Sequence, residues 1–505
     1  MTVSFDLWLL LPVLAPVGGL ILVLLLDAIA PREQWVARPV GLASLLAGAA
    51  GAAPILLRAT DEPALTLCGP ASVGGACLYA AGPTTATLQI GILLAALAAL
   101  LLGGDRSAPI GVDPSTVGLR GGPAVEVVLV LAVAAGGAGV VAARDVGSWL
   151  VLLELATVPA IALVALHLHR RTPGAALTLL TTSVVSFALL ALGVALWVVA
   201  TGSPVFSPFI VEVAAADPLR RPVLILAAVA LLSGLAFKLS LVPFHAWTPT
   251  TFTGASLPVA MLLATASKIA AVGALLMVLL PFAPLFGTAG VPHVLVAGLA
   301  ALALLSMLLG TVIALRADDA VRLLAFSTIA QAGWVVLPLV GLSAAGRRAA
   351  AGYMLTYVVA SLVAFAAVSA AHPVGTNGRP LTACTGLLRT RPLIGGPLAL
   401  ALFVKAGLPP GIIGLVAKIE ALRPVVEAGF WPIAVVAAMA VVLGIAVYVR
   451  WFALLLQAAP HEREGEDLDE TASRIGRGSL TIIVVGTVVL VATSVVPQLL
   501  WGLLR

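Results

Sequence analysis

Lysine appears in this sequence only where it costs most. Of 27 basic residues, 23 are arginine and four are lysine, and all four lysines fall inside apolar segments: Lys238 in LAFKLS, Lys268 in TASKIA, Lys405 in LFVKAG and Lys418 in LVAKIE. A charged side chain at the centre of a membrane helix costs about 2.5–3.5 kcal/mol on insertion scales. A bias toward Arg codons accounts for lysine being scarce, but not for where the four survivors sit. A guanidinium stays charged, whereas a desolvated ammonium can lose its proton within a useful pH range, so a buried lysine can hold, pass and release a proton. Glu154, in LVLLELATVPA, is the matching acid. Desolvation and a nearby ammonium act on a carboxyl in opposite senses, so such a pair can be switched. For one pair the plain alternative is a static ion pair that fixes helix packing; one glutamate and four lysines spread over several apolar segments favour proton movement. His245 lies two residues past Pro243 and close to Lys238, where a neutral imidazole could relay protons.

The elements that must position these residues are membrane helices. The 505 residues are 61% hydrophobic and 10% charged, with a mean hydropathy of +1.16. A soluble domain carries about 25% charged residues, so a water-soluble fold, a disordered chain and a disulfide scaffold are all excluded. The net charge of +5 comes from basic residues scattered in ones and twos, which is no footprint for nucleic acid. Three cysteines are too few for a four-thiolate iron–sulfur cluster. At about 20 apolar residues per crossing, the chain holds some fourteen spans, the first near 7–26 and the last near 478–501. The fifth span is read at 147–166, the seventh at 222–245, the eighth at 255–280 and the twelfth at 394–420. Runs this long and apolar are helices and not barrel strands. The expected fold is an all-α polytopic membrane protein.

Arginine sets the orientation. Fifteen arginines fall in the odd-numbered loops and eight in the even-numbered loops and C-terminus, so by the positive-inside rule both termini face outward. Cys68 and Cys77 then share an extracytoplasmic loop, where they either pair or remain two small apolar residues. Glu126, in the first turn of the fourth span, complements the helix dipole. His167 and His169 beside Arg170 and Arg171, and the acidic stretch 461–470, read as solvated loop residues.

Two segments repeat. LAFKLSLVPFHAW and LFVKAGLPPGIIG each place a lysine five residues before a proline, at an offset of 167 (405 − 238 and 410 − 243). A mid-membrane proline breaks a helix and frees carbonyls, which is tolerated only beside a cavity or within packed protein. Broken helices in two halves point to a transport site. The seventh and twelfth spans are five apart, so the second copy crosses in the opposite sense: an inverted repeat over spans 4–8 and 9–13, with broken helices 7 and 12. The expected division is 1–120 for the first three helices, 121–281 and 290–456 for the two repeats, and 457–505 for a cytoplasmic loop and helix 14.

The stretch 234–268, GLAFKLSLVPFHAWTPTTFTGASLPVAMLLATASK, resembles the antiporter-like membrane subunits of respiratory complex I and of multisubunit cation/proton antiporters. Phe237, Lys238, Pro243, Phe244, His245, Trp247, Pro249, Gly254, Ala255, Ser267 and Lys268 carry the resemblance. RLLAFSTIAQAGW (322–334) and AGLPPGIIGLVAK (406–418) extend it, over about 120–455. Within that family the chain is most similar to the N-type subunit of bacterial NADH–quinone oxidoreductase: it stops after span 14, and span 12 carries Lys418 where the M-type has Glu. The resemblance implies Glu154 as the acid of span 5, Lys238 as its partner, Lys268 as the connecting residue and Lys418 on the exit side. By the internal repeat Lys405 aligns with Lys238, so either Lys405 or Lys418, or both, serve in span 12. Thr250 and Thr253 stand where relatives often carry Asp and Glu.

The implied function is a proton-translocating subunit of that oxidoreductase in the bacterial plasma membrane, coupled to quinone reduction elsewhere in the complex. NADH, FMN, iron–sulfur clusters and quinone are then expected on other subunits and none on this chain, which shows no P-loop or dinucleotide-binding glycine fingerprint. Neighbours resembling subunits M and K, and the lipid bilayer, are the expected partners. A subunit of a sodium/proton antiporter is the second reading, and a structural spacer whose lysines only pack is the third.

Overall fold

The computed structural model describes all residues except 1–5, 31–33, 59–61, 70–76, 106–121, 167–171, 287–290, 373–378, 459–474 and 505. His167, His169, Arg170, Arg171 and the acidic stretch 461–470 therefore lie outside the described residues.

Each apolar run closes its own backbone hydrogen bonds as a helix. The N-terminal part holds α1 (Leu7–Ile29), α2 (Ala37–Leu56) and α3 (Pro83–Gly104), with the antiparallel strands β1 (Ala64–Cys68) and β2 (Cys77–Ala81) between α2 and α3. Next come α4 (Gly122–Val140), the collinear pair α5 (Val146–Leu155) and α6 (Val158–Ala165), α7 (Thr172–Thr201) and the short α8 (Pro208–Ala216). α9 (Arg221–Leu239), the connecting α10 (Trp247–Gly254) and the pair α11 (Leu257–Ala264) and α12 (Ala266–Leu279) complete the first half. The second half runs through α13 (Val291–Ala314), α14 (Ala320–Val336), α15 (Ala344–Ala371), α16 (Leu387–Thr390), α17 (Pro392–Ala406), α18 (Ile412–Glu427) and α19 (Trp431–Leu456). α20 (Arg477–Val495) and the single turn α21 (Gln498–Trp501) end the chain. Among the described residues, thirteen helical spans are long and apolar enough to cross a membrane, and counting the bent pair Leu381–Thr390 with Pro392–Ala406 as one span makes fourteen. The chain is a polytopic membrane protein.

Three expectations change in detail. The fold is not purely helical, because Ala64–Ala81 includes the β1–β2 hairpin. The seventh span stops at Leu239 and not at 245, since the chain turns before Pro243. The fifth and eighth spans are not continuous: they are interrupted at Ala156–Thr157, just before Pro159, and at Thr265, where no proline gives warning. The twelfth, expected to be broken, divides into α17 and α18 around Leu408–Gly411.

Burial sorts the helices into a core and a rim. Every residue of α14 but Arg322 is buried, whereas α7 and α19 turn broad apolar faces outward through residues such as Val184, Val199, Met439 and Val442. Large exposed apolar side chains would be costly in water; in lipid they meet a solvent as apolar as themselves. The four lysines sit on the inner helices α9, α12, α17 and α18, each at most 9% exposed.

Two long-range caps tie the ends in. Asp105, at the end of α3, accepts from Gly478 N at 2.8 Å and Ser479 N at 2.6 Å, satisfying orphan donors of the first turn of α20. Asp6 caps α1 through Trp8 N at 3.0 Å, and its own N–H donates to Thr66 Oγ1 of β1. Cys68 and Cys77 pair across the hairpin as a disulfide, and Cys384 is the free, buried third. Alkylation of the denatured, unreduced chain is therefore expected to label one of its three thiols and, after reduction, all three. Intact mass distinguishes the two, and three labels without reduction would rule the bridge out in the membrane-embedded protein.

Candidate functional site

The site is built on two helix endings of the same construction. α9 ends in a left-handed residue, Ser240 (φ 64°), with Leu241 N donating to Ala236 O at 2.9 Å. α17 ends in Gly407 (φ 76°), with Leu408 N donating to Phe403 O at 3.0 Å. This is the six-to-one closure that ends helices at a left-handed residue, and the two copies are 167 residues apart (407 − 240 and 408 − 241). In each copy the lysine occupies the last turn before the break, and its carbonyl is released from the helical ladder. Left-handed geometry costs a serine about 1–2 kcal/mol that glycine avoids. Ser240 offsets this with its hydroxyl, as the contacts of Lys268 show.

In the first half, Lys238 Nζ lies 2.8 Å from Glu154 Oε1, with side chains 8% and 18% exposed. The ammonium also donates to Thr157 Oγ1 at 2.8 Å. Thr157 starts α6 after the α5 break and donates in turn to Leu153 O. The interruption of α5 thus places an acid and a hydroxyl, three residues apart, beside one ammonium. Lys268, just past the α11–α12 break, donates from Nζ to Lys238 O at 2.8 Å and to Ser240 Oγ at 2.5 Å. Ser240 Oγ also accepts from Thr248 Oγ1, and Ser306 Oγ accepts from Val242 N beyond the break. A cavity of about 30 Å³ adjoins Lys238, with Thr157, Thr182, Ser183, Ser186 and Ser267 among its walls. That volume and those hydroxyls suit one or two waters.

In the second half, Lys418 Nζ donates to Lys405 O at 3.0 Å and to Ala406 O at 2.5 Å. The relation of Lys268 to Lys238 is thereby reproduced: the second lysine satisfies the carbonyl released at the first. Lys405 Nζ donates to Ser361 Oγ at 2.8 Å, and among the described residues no ion pair holds Lys405. A phenol and amide network surrounds it. Gln331 donates to Lys405 O at 3.3 Å and to Tyr448 OH at 2.9 Å, and accepts from Tyr353 OH at 2.6 Å. Tyr357 OH donates to Thr328 Oγ1.

The geometry therefore brings together Glu154, Lys238 and Lys268, and separately Lys405 and Lys418. His245 stands apart, half-buried in the turn after the break, and no described hydrogen bond joins its ring to Lys238. Glu126 forms a different pair, with Arg38 at 3.2 Å. Charge counting in apolar segments misses Thr157, Ser240, Ser361, Gln331 and Tyr357, because uncharged polar residues are ordinary in helices. The one local signal is Ser240, two residues past Lys238; Thr157 and Ser361 lie 81 and 44 residues from the lysines they contact.

Residues 143–444, which include Glu154 and all four lysines, match the family described as NADH:quinone oxidoreductase/Mrp antiporter, TM. The chain belongs to this family. Members of the NADH:quinone oxidoreductase/Mrp antiporter family similar to it include the NADH-quinone oxidoreductase subunit N of Salinispora tropica, 39% identical over 88% of this chain and 84% of that protein. The subunit N of Geotalea uraniireducens is 32% identical over 96% of this chain and 97% of its own. Among solved structures, a chain of respiratory complex I from Thermus thermophilus aligns over 97% of this chain and 98% of that one, with 28% identity and a TM-score of 0.76. A chain of the Mrp complex from Dietzia sp. DQ12-45-1b aligns over 99% and 96% with a TM-score of 0.81. At 20% identity that likeness shows the shared fold alone.

Proposed function

We propose that this chain is a proton-translocating membrane subunit of an NADH–quinone oxidoreductase, in which Glu154, Lys238, Lys268, Lys405 and Lys418 carry the proton. The observation that carries the reading is the Glu154–Lys238 ion pair at 2.8 Å, set at a helix break and continued by Lys268 through the Lys238 carbonyl. A packing-only role would need no break at either lysine. A lysine paired to a partly exposed carboxylate and adjoining a water-sized cavity can release its proton and, as the neutral amine, take up another. Lys268 Nζ donates to the backbone carbonyl of Lys238, which sets both lysines at one helix break, where charge on one ammonium repels charge on the other in a low-dielectric site. That repulsion is a means of moving a proton onward once the ion pair is perturbed.

The relatives' names support an assembly in which NADH oxidation, flavin, iron–sulfur clusters and quinone reside on other subunits. On this chain, no group of metal-binding side chains occurs among the described residues. Neighbours resembling subunits M and K would flank it, and the arginine asymmetry supports both termini lying outside the cytoplasm of a bacterial plasma membrane. Lys418 donates to the backbone carbonyl of Lys405, which supports a reading in which both second-half lysines serve the relay; His245 makes no described contact with either half's lysines and is given a supporting part.

Purification of the tagged chain in mild detergent tests the reading. Co-elution with flavin and iron–sulfur subunits, together with NADH–quinone activity in the same fraction, is expected. A fraction of hydrophobic partners alone, inert toward NADH and competent in sodium/proton exchange, would transfer the chain to the antiporter branch.

A further inference from the structure

Only one of the four buried lysines has a carboxylate. Among the described residues, no ion pair holds Lys268, Lys405 or Lys418, although none is more than 5% exposed. A charge in such surroundings needs compensation. Each of the three instead faces an aromatic ring: Lys268 Nζ lies 4.8 Å from the centroid of Trp247, Lys405 Nζ 4.3 Å from that of Tyr357, and Lys418 Nζ 5.7 Å from that of Trp334. All lie within the distance at which a ring quadrupole attracts a cation, and the attraction strengthens when water is excluded. All three rings are 4% exposed.

Separate contacts fix each ring. Trp247 Nε1 donates to Phe237 O at 2.8 Å, Tyr357 OH donates to Thr328 Oγ1 at 2.8 Å, and Trp334 stacks on Tyr353 with an interplanar angle of 10°. None of these contacts involves the lysine, so the ring face stays in place whether or not the ammonium is charged. A carboxylate 2.8 Å away is a full opposite charge and resists losing its partner's proton. A ring face is an induced and quadrupolar partner, adequate to hold an ammonium and weaker against its departure. The second half, whose lysines have no acid, carries two of the three rings.

We propose that Trp247, Tyr357 and Trp334 are positioning residues that supply the counter-charge for Lys268, Lys405 and Lys418, so that a proton rests on each of these lysines without being trapped by a carboxylate. This rests on the proton-relay reading above. It separates the relay into one strongly paired position, Lys238, and three ring-supported ones.

Tyr357 offers the cleanest test, in the assembled complex reconstituted into vesicles with proton pumping as the readout. Tyr357→Leu removes the ring and is expected to lower pumping at least tenfold; Tyr357→Phe restores the ring and recovers most of it. Site-specific incorporation at 357 of phenylalanine carrying one, two and three fluorines withdraws electron density from the ring face with little change of shape. Pumping is expected to fall with each fluorine. A flat fluorine series, or a Leu variant that pumps as the parent does, overturns the proposal. If the Leu variant does not assemble, the fluorine series decides alone. Lys405→Met is measured alongside. Lost pumping there with a flat fluorine series removes the ring proposal only, whereas full pumping in Lys405→Met removes the relay reading of that lysine.

Discussion

Lys238→Met is expected to reduce proton pumping, and the quinone reduction coupled to it, about a hundredfold, the scale of losing a positioned proton-transfer group. Assembly of the complex should persist. Methionine fills nearly the same volume, and replacing a buried charge by an apolar group need not destabilise when its partner can also become neutral. Glu154 is that partner, 2.8 Å away and still 18% exposed through its side chain. Glu154→Gln poses the opposite problem: the amide oxygen and Thr157 Oγ1 still accept from the Lys238 ammonium, but the negative charge that compensated it is gone. Breaking one side of a buried pair costs about 3–5 kcal/mol, so Glu154→Gln should lose assembly as well as pumping. The double variant Glu154→Gln/Lys238→Met should regain assembly while pumping stays lost. Blue-native electrophoresis and vesicle acidification measure the two effects separately. Undiminished pumping in Lys238→Met would refute the role of the pair.

Gly414→Val is expected to destabilise the second half by about 3 kcal/mol or more, at the upper end for overpacking, and to abolish assembly. Gly414 lies in the first turn of α18, and any Cβ there would collide with the carbonyl of Val404 and approach Val404 Cα at 2.9 Å. That backbone has no freedom to withdraw, because Val404 O and Phe403 O accept from Gly407 N to close the end of α17. Gly411 fits as tightly against Val404 Cα, at 2.7 Å. These two glycines let the segment after the break pack back onto the helix it leaves, and that packing brings Lys418 to the Lys405 carbonyl. Gly396→Ala and Gly444→Ala are the controls, since a Cβ at either position meets nothing within 4 Å. Thermal unfolding of the purified complex compares the three, and equal stability would show that the packing at the break is not tight in the membrane.

Much of this was legible in the residues. Hydropathy suffices for the spans, because a hydrocarbon solvent leaves the backbone few alternatives to a helix. The lysines announced the site, because a cost of that size at mid-membrane is not incurred idly. The K-x-x-x-x-P spacing marked both breaks, and their six-to-one closures coincide at the same 167-residue offset. Other features left little trace. The interruption at Thr265 carries no proline, and threonine is common in helices; at Thr157 the following Pro159 was visible, but its effect on the fifth span shows only in the packing of α4 against Ala156, where Gly136 makes room. The question of Lys405 or Lys418 could not be answered by counting residues either.

By itself, then, the sequence determined a multi-helix membrane protein with an inverted repeat, and which ionisable groups were worth burying. These follow from transfer energies and periodicity, which are local properties. Tertiary structure alone decided which groups meet. Glu154 and Lys238 are 84 residues apart (238 − 154) yet share an ion pair, Glu126 pairs with Arg38 and stays outside the relay, and three aromatic rings stand where carboxylates were not provided. Pairing energies depend on distances of a few ångströms and on the exclusion of water, and both are set by how the helices pack.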